Sequence, residues 1–548
     1  MAPLSRRTFL AASAAVPALV VAGCSDSGSD SGDTVPTTDA APTSAGPGDS
    51  TSSTVAQPTT TAPPDTLPAV DLPSDPFTLG VASGDPDDSS VVLWTRLAPD
   101  PLNGGGMPDD DIAVRWEASA DEAFASLTAS GDEVAAAATG HTVHALAQLP
   151  PGTWFYRFRV GEWVSPVGRT RVAPAPGTPG GELRIATGSC QNYSHGYYAA
   201  HRGIAEQQPD LVLWLGDYIY EGAAADGALP SERAHLGPEP TTVVEYRNRY
   251  ARYKTDPQLQ AAHAACPWFV VWDDHEVENN YAGITPQDAA EAPAFAARRA
   301  AAYQAWWEHQ PTRLAPPTAD GLRIYRSAAW GDLLTVAMLD GRQYRTDQAC
   351  GDVRLNLEPP CSEVTAPGRT MLGDEQESWL FDTLDTATTT WKVLGNQVIM
   401  ADATLNGAIL NFDMWDGYPE QRDRILQHLA DTGSTNVVVV TGDIHFAAVA
   451  QLRAGERGTG TPVAVEFIAT SISSDGNVGP ELTDVLKSFP DLLDANLVHR
   501  GYVLHTVTPE QWTAEYRIVE QIDDPESPVN TWAKFAIDQG TNTVRQLA

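Results

Sequence analysis

Basic residues are scarce in this chain: 34 Lys and Arg stand against 71 Asp and Glu over 548 residues, for a formal charge of -37. A surface that binds nucleic acid neutralises phosphates with clustered cations, so no nucleic-acid-binding surface is expected. The acidic balance suits a solvated, exported protein. Long apolar runs are lacking too, because the Ala-rich stretch after Leu10 is far too short to span a bilayer as a mature helix. No Gly-x-Ser-x-Gly turn stands out, which argues against a hydrolase built on a serine elbow. Cysteine is sparse, five in all, so each one is considered singly. The length is nevertheless enough for two or more domains and a sizeable core.

Residues 1–24 read as an address. Ser5-Arg6-Arg7-Thr8-Phe9-Leu10 carries the paired arginines of a twin-arginine export signal. Val21-Ala22-Gly23-Cys24 looks like a bacterial lipoprotein cleavage box, which makes Cys24 the expected lipidated first residue; an ordinary signal peptide with a chance Cys is the alternative. Twin-arginine export carries folded proteins, which suits a cofactor loaded before crossing. The expected location is the cell surface or the exterior, with membrane contact through the lipid anchor only. Residues 25–70 have no basic residue and hardly any large apolar one, so they cannot offset their ordering entropy and are expected to be a flexible tether.

Residues 71–180 alternate short apolar segments with turns, among them Val91 to Trp94, Ala113 to Trp116, Thr142 to Leu146 and Trp154 to Val160. This spacing predicts a small all-β domain of fibronectin or Ig type, with His141 and His144 on strand surfaces. From 181 to 548 strands alternate with longer helical stretches, an α/β plan with a mixed sheet or two packed sheets. Strands are expected at Leu183 to Thr187, Leu211 to Leu215, Phe269 to Trp272, Leu333 to Leu339, Trp391 to Leu394, Val437 to Val440 and Val463 to Thr470. Helices are expected near His195 to Gln207, Val243 to Tyr253, Phe295 to Glu308, Glu375 to Leu384 and Gln421 to Leu429.

Ligands in such folds gather beyond the carboxyl ends of strands. Three of these ends carry hard donors. Val212-Leu213-Trp214-Leu215 runs into Gly216-Asp217, with Tyr220 three positions on; Phe269 to Trp272 runs into Asp273, Asp274 and His275; Val437 to Val440 runs into Gly442, Asp443 and His445. Asp217 and Asp443 are hard oxygen donors, His445 is borderline, and Tyr220 as a phenolate favours a ferric ion. Cys190 also follows a strand and as a thiolate could join the same centre. Singly, each has a bland reading as a cap, a turn former or core packing. Their joint occurrence points to a metal site.

The segments Ala186 to Asn192, Leu215 to Glu221, Trp272 to Asn280, Leu339 to Arg345 and Thr441 to Phe446 resemble the PhoD-like alkaline phosphatases and phosphodiesterases of the calcineurin-type metallophosphoesterase superfamily. Gly80 to Pro86 with Val91 to Arg96 looks like that family's N-terminal domain. The resemblance implies a two-sheet sandwich flanked by helices. It implies a ferric ion (Fe3+) held by Cys190, Asp217, Tyr220 and His445. Asp217 would bridge to calcium (Ca2+), with Asp274 and Asp443 as further ligands and Asn279 or Asn280 nearby. His275 would contact or protonate the leaving-group oxygen, with a structural histidine as the alternative. Arg342 would bind phosphoryl oxygens, or else pair with a nearby carboxylate. Family members often have Thr where Gly341 stands, which loosens that inference. Two or more ions would clamp the phosphate and activate a water, with no covalent phosphoenzyme required.

Cys350 and Cys361 flank a short loop and are expected to form a disulfide in an oxidising exterior. Cys266 reads as a buried thiol. Asn411 to Pro419 resembles the family's aromatic loop, and either shapes substrate access or packs on its own aromatics. The substrate is expected to be a phosphate monoester and the protein a monomer. Diester hydrolysis, including phospholipase D-type activity, and an idle calcium-binding surface protein are the alternatives.

Overall fold

Val437-Val438-Val439-Val440-Thr441 is β-branched at every position and buried at every position, the pattern of a central strand covered on both faces. In the computed structural model, which describes residues 70–223, 233–353 and 357–548, it lies in the middle of a seven-stranded sheet. The spatial order is Arg326–Trp330, Leu334–Met338, Trp391–Gly395, Val437–Thr441, Thr461–Ile468, Ala447–Ala454 and Leu492–Asn496. The strands from Leu334–Met338 to Thr461–Ile468 are mutually parallel. The export signal, Cys24 and residues 25–69 lie outside the described residues.

A ten-stranded sheet faces this one. Its order is Val544–Gln546, Val529–Asp538, Gln511–Val519, Arg500–Val507, Leu183–Gly188, Leu211–Trp214, Pro267–Val270, Val81–Gly84, Ser90–Arg96 and Thr142–Gln148. One apolar core joins the two sheets: Ile185, Leu213 and Val270 pack with Val438, Val440 and Phe467. Val437 and Val439 point the other way, into a second core with Leu380 and Leu384 of the Gly373–Thr386 helix and Ile425 and Leu429 of the Pro419–Asp431 helix. The alternation is the period-two geometry of a strand expressed as two cores.

The expected boundary near 180 does not separate the sheets. Val81–Gly84 pairs in parallel with Pro267–Val270, so the N-terminal region contributes three strands to the sheet that carries Asp217. Only the five strands Ile112–Ser119, Ala129–Ala135, Gly152–Val160, Trp163–Val164 and Gly168–Val172 form a sheet of their own. The junction is tied by Asp85, whose buried carboxylate accepts from Arg326 Nη2 at 2.6 Å, Thr312 Oγ1 at 2.9 Å and the Arg313 amide at 3.0 Å. His141 and His144 are not on strand surfaces. His141 is buried with Nε2 3.0 Å from the Asp110 carbonyl, and the His144 ring packs against Trp307, with Nε2 2.9 Å from the Gln310 carbonyl.

Local chemistry explains the helices that frame the site. Val243–Lys254 starts at a capping box in which Thr242 and Glu245 satisfy each other's backbone amides. Pro257–Ala265, a helix that sequence reasoning missed, begins with the Asp256 cap and proline in its first turn. The stretch from Asp523 supplies Val529–Asp538 and Val544–Gln546 at the edge of the larger sheet.

Cys350 and Cys361 form a disulfide across an 11-residue separation. Closing a loop of that size restricts the unfolded chain by about 3 kcal/mol. Replacing both with Ser is expected to lower the unfolding free energy by that amount and, because the unfolded chain expands, to steepen the urea transition.

Candidate metal centre

The ligand candidates occupy strained backbone. Cys190, Asp217, Asp443 and His445 all have left-handed φ, at +59°, +55°, +65° and +59°. Each such residue costs roughly 1 kcal/mol or more and persists only where its surroundings hold it. Glu276 provides that hold at Asp217: its buried carboxylate accepts the amides of Asp217 at 3.1 Å, Tyr218 at 2.5 Å and Asp273 at 2.8 Å. The glycine of each Gly-Asp pair lets two ligand loops touch. A Cβ on Gly216 would stand 2.4 Å from Asp273 Cβ, and one on Gly442 would stand 2.3 Å from Ser189 Oγ, beside Cys190.

Three donor groups result, each with its atoms within 4.8 Å of one another: Cys190, Asp217 and His445; Asp217, Asp274 and His275; and Asp273, Asp274 and Asp443. Tyr220 joins the first, its hydroxyl 2.9 Å from Asp217 Oδ2 and 3.0 Å from His445 Nε2. Asp217 and Asp274 are each shared by two groups, so the three form one continuous site. The structure thus brings Cys190, Asp217, Tyr220, Asp274, Asp443, His445 and His275 together.

Electrostatics shows what this donor set fits. Asp217 Oδ1, Asp273 Oδ2 and Asp274 Oδ1 are buried without a hydrogen-bond partner among the described residues. Burial, then the charges of Asp217 and Asp443, push the Cys190 thiol well up. Burial also lifts Asp217 far above the usual carboxylate range, and Asp274 and Asp273 add to this against the opposing charge of His275. Asp443 is raised by burial and by Asp273 and Asp413, and Tyr220 by burial and by Asp217. His445 is held down at about 3, chiefly by burial, which leaves a neutral ring able to act as a ligand. So many acids ionise side by side only if positive charge is added, and oriented, unpartnered oxygens are where a cation sits. The thiol, phenol and imidazole of the first group suit a transition metal, whereas the all-carboxylate third group suits a hard cation.

His275 is different in kind. Its ring stacks on Tyr220 at 4.1 Å, its Nδ1 lies 2.7 Å from Glu221 Oε2, and its side chain keeps 21% exposure. Burial opposes its charged form, but Glu221, Asp274 and Asp217 outweigh that and raise its pKa well above the ordinary value. It is the partly exposed ring of the site, and the negative charge around it favours its protonated form. Of the two asparagines, Asn280 gives its backbone amide to Asp274 Oδ2 at 2.7 Å, while the Asn279 side chain turns to Gln287.

Arg342 requires a correction. Its side chain is 0% exposed, and its guanidinium is engaged by Asp273 through Nε and by both Asp413 oxygens at 2.8 and 2.7 Å, with Asp274 Oδ1 at 3.5 Å. It is the carboxylate-paired arginine, orienting Asp273 and Asp274 from behind, and not a phosphate clamp. Asp413 also accepts from Arg345 and Gln348, both at 2.6 Å. The Asn411 to Pro419 loop therefore contributes a carboxylate beneath the site. Its aromatics Phe412 and Trp415 are fully buried packing.

Sequence reasoning places Asp273 among the hard donors at a strand end but misses Glu221, Glu276 and Asp413 as working residues. Glu276 stands within the Trp272 to Asn280 segment and was within reach; Asp413 lies 71 residues from its partner Arg342, with no local signal. Glu276→Gln turns an acceptor of three amides into a partial donor, and is expected to weaken metal retention about 10–100-fold, read by equilibrium dialysis.

Comparison with known proteins agrees with this geometry. The family model described as PhoD-like phosphatase matches residues 185–516, and that described as PhoD-like phosphatase, N-terminal domain, matches residues 61–174. The chain is similar to alkaline phosphatase D of Bacillus subtilis (strain 168), with 44% identity over 487 residues, covering 87% of this chain and 83% of that protein. A solved structure of PhoD superposes with a TM-score of 0.84 at 43% identity, covering 88% of this chain and 94% of that one. The purple acid phosphatase PPD1 from yellow lupin seeds superposes at 0.52 with 11% identity, covering 85% and 75%, a likeness of fold alone. The chain belongs to the PhoD-like phosphatase family and is a phosphoric ester hydrolase of the metal-dependent kind.

Proposed function

We propose that this protein is an exported phosphatase that hydrolyses phosphate monoesters, using a ferric ion at Cys190, Asp217, Tyr220 and His445 and calcium at the adjoining carboxylates. The observation that carries the reading is the fused donor set with three buried carboxylate oxygens that have no hydrogen bond among the described residues. When bound there, the ions supply Lewis-acid charge to the phosphoryl oxygens and acidify a water for in-line attack. Asp217 links the two halves of the site. Arg342 and Glu276 hold its neighbours in register. His275, fixed by Glu221, delivers a proton to the departing alkoxide. The relative named alkaline phosphatase D supports the phosphatase reading.

The paired arginines Arg6 and Arg7 and the box ending in Cys24 support twin-arginine export and a lipid-anchored or secreted location for a monomer. An idle calcium-binding protein would need losses among the ligand positions, and the site keeps them all.

Initial rates on nitrophenyl phosphate and on bis-nitrophenyl phosphate, measured side by side with calcium, test the substrate class. The monoester is expected to be favoured by about tenfold or more in kcat/KM, about 1.4 kcal/mol of transition-state stabilisation. A diester preference moves the assignment to a phosphodiesterase. His275→Ala is expected to lower kcat on an alkyl phosphate monoester by about 10²–10⁴, and much less on nitrophenyl phosphate, whose acidic leaving group departs with little proton assistance.

A further inference from the structure

The turn at residues 471–475 belongs to none of the ligand motifs, yet it touches both Cys190 and His445 of the first group. The Ile472 amide donates to the Ser189 carbonyl at 3.0 Å, and the Ser474 amide and hydroxyl both donate to the Cys190 carbonyl, at 3.3 and 2.8 Å. The Asn192 amide donates to Ser474 Oγ at 3.0 Å, and Ser473 Oγ donates to the Asn192 carbonyl at 3.0 Å. Residues 472–474 are thereby clasped to the Cys190 loop. Asp475 is the last member of this turn, and Gly476 and Asn477 beyond it are exposed. Its backbone carbonyl lies 2.7 Å from His445 Nδ1, and its carboxylate lies 2.7 Å from Nδ1 of His195, five residues past Cys190 on the clasped loop.

We propose that His195 and Asp475 form a positioning pair: the pair holds the Asp475 carbonyl against the His445 Nδ1–H, which fixes the tautomer and aims Nε2 at Cys190, Asp217 and Tyr220. The inference rests on the reading in which those four residues hold iron. A carbonyl only accepts, so the proton is on Nδ1 and the Nε2 lone pair faces the site. The His445 carbonyl is pinned separately, by Arg500 Nη1 at 2.9 Å and Thr470 Oγ1 at 3.3 Å, and the bond to Asp475 restrains the ring at Nδ1, opposite the Nε2 that faces the Tyr220 hydroxyl. The Asp475 side chain is 65% exposed, and a polar contact so exposed adds little to global stability. Its effect is local, on one ligand.

The test uses the mature, iron- and calcium-loaded protein with His195→Ala, and with His195→Asn, which keeps a donor near the Asp475 carboxylate. Three quantities are read: the rate of iron release to a chelator, the visible phenolate-to-iron band, and the melting midpoint with and without metal. His195→Ala is expected to release iron about 10–100-fold faster and to shift the band, with the metal-free midpoint unchanged, while His195→Asn restores part of the wild-type behaviour. An unchanged release rate and band in His195→Ala, beside an iron-loaded wild type, overturns the proposal. An equal fall of both midpoints also overturns it, because the pair is then merely structural. A wild type with no iron and no band removes the iron reading itself, and the pair falls with it.

Discussion

Asp217→Asn is expected to cut hydrolysis by about a thousandfold or more in kcat, about 4 kcal/mol of transition-state stabilisation. Asp217 is shared by the group containing Cys190 and His445 and by the group containing Asp274 and His275, so one substitution weakens both halves of the site. It also removes an acceptor for the Tyr220 hydroxyl, 2.9 Å away. Asn is nearly isosteric, and the backbone amide that Glu276 holds is untouched, so the fold is expected to survive. Metal analysis beside kinetics separates the effects: iron and calcium should both decline together with kcat. A variant that keeps its metals and its rate removes Asp217 from the centre of the account.

Arg342→Met is expected to have the largest effect on stability, a loss of about 3–5 kcal/mol at neutral pH, because it leaves carboxylates buried without their cation. Asp273, Asp274 and Asp413 all face the guanidinium. Burial alone would raise the Asp413 carboxyl, but Arg342 and then Arg345 hold it well below the usual carboxylate range. A depressed folded-state pKa stabilises above the unfolded value, and that contribution is lost as pH falls through the carboxylate range. The gap between wild type and Arg342→Met is therefore full at neutral pH and narrows below about pH 4. Urea denaturation across that range checks the sign. Activity should fall as well, since Asp273 and Asp274 lose their orientation, but binding of substrate should not depend on a guanidinium that is 0% exposed.

Much of the site was legible because Asp217 and Asp443 each follow an apolar, buried strand. Leu211–Trp214 and Val437–Thr441 are buried throughout, and in each case the chain leaves the sheet through a Gly-Asp pair. Both sheets place their parallel strands so that these ends meet, which is why strand ends more than 200 residues apart share one site, as the 225-residue separation of Tyr220 and His445 shows. What stayed hidden depended on contacts with no local periodicity. From its loop Arg342 reads either as a phosphate ligand or as a paired charge, and the position of Asp413 shows the pairing. The N-terminal strands read as a separate sandwich because parallel pairing of Val81–Gly84 with Pro267–Val270 leaves no mark on either segment alone. The Pro267–Val270 strand sits two residues earlier than its apolar pattern predicts, since Val271 and Trp272 extend the apolar run as buried core beyond the strand.

The most direct measurement is elemental analysis and visible spectroscopy of the active, mature protein and of its Tyr220→Phe variant. The account predicts stoichiometric iron with calcium, and a visible phenolate-to-iron band that disappears in Tyr220→Phe. A colourless protein that lacks iron yet hydrolyses phosphate esters at full rate would contradict it.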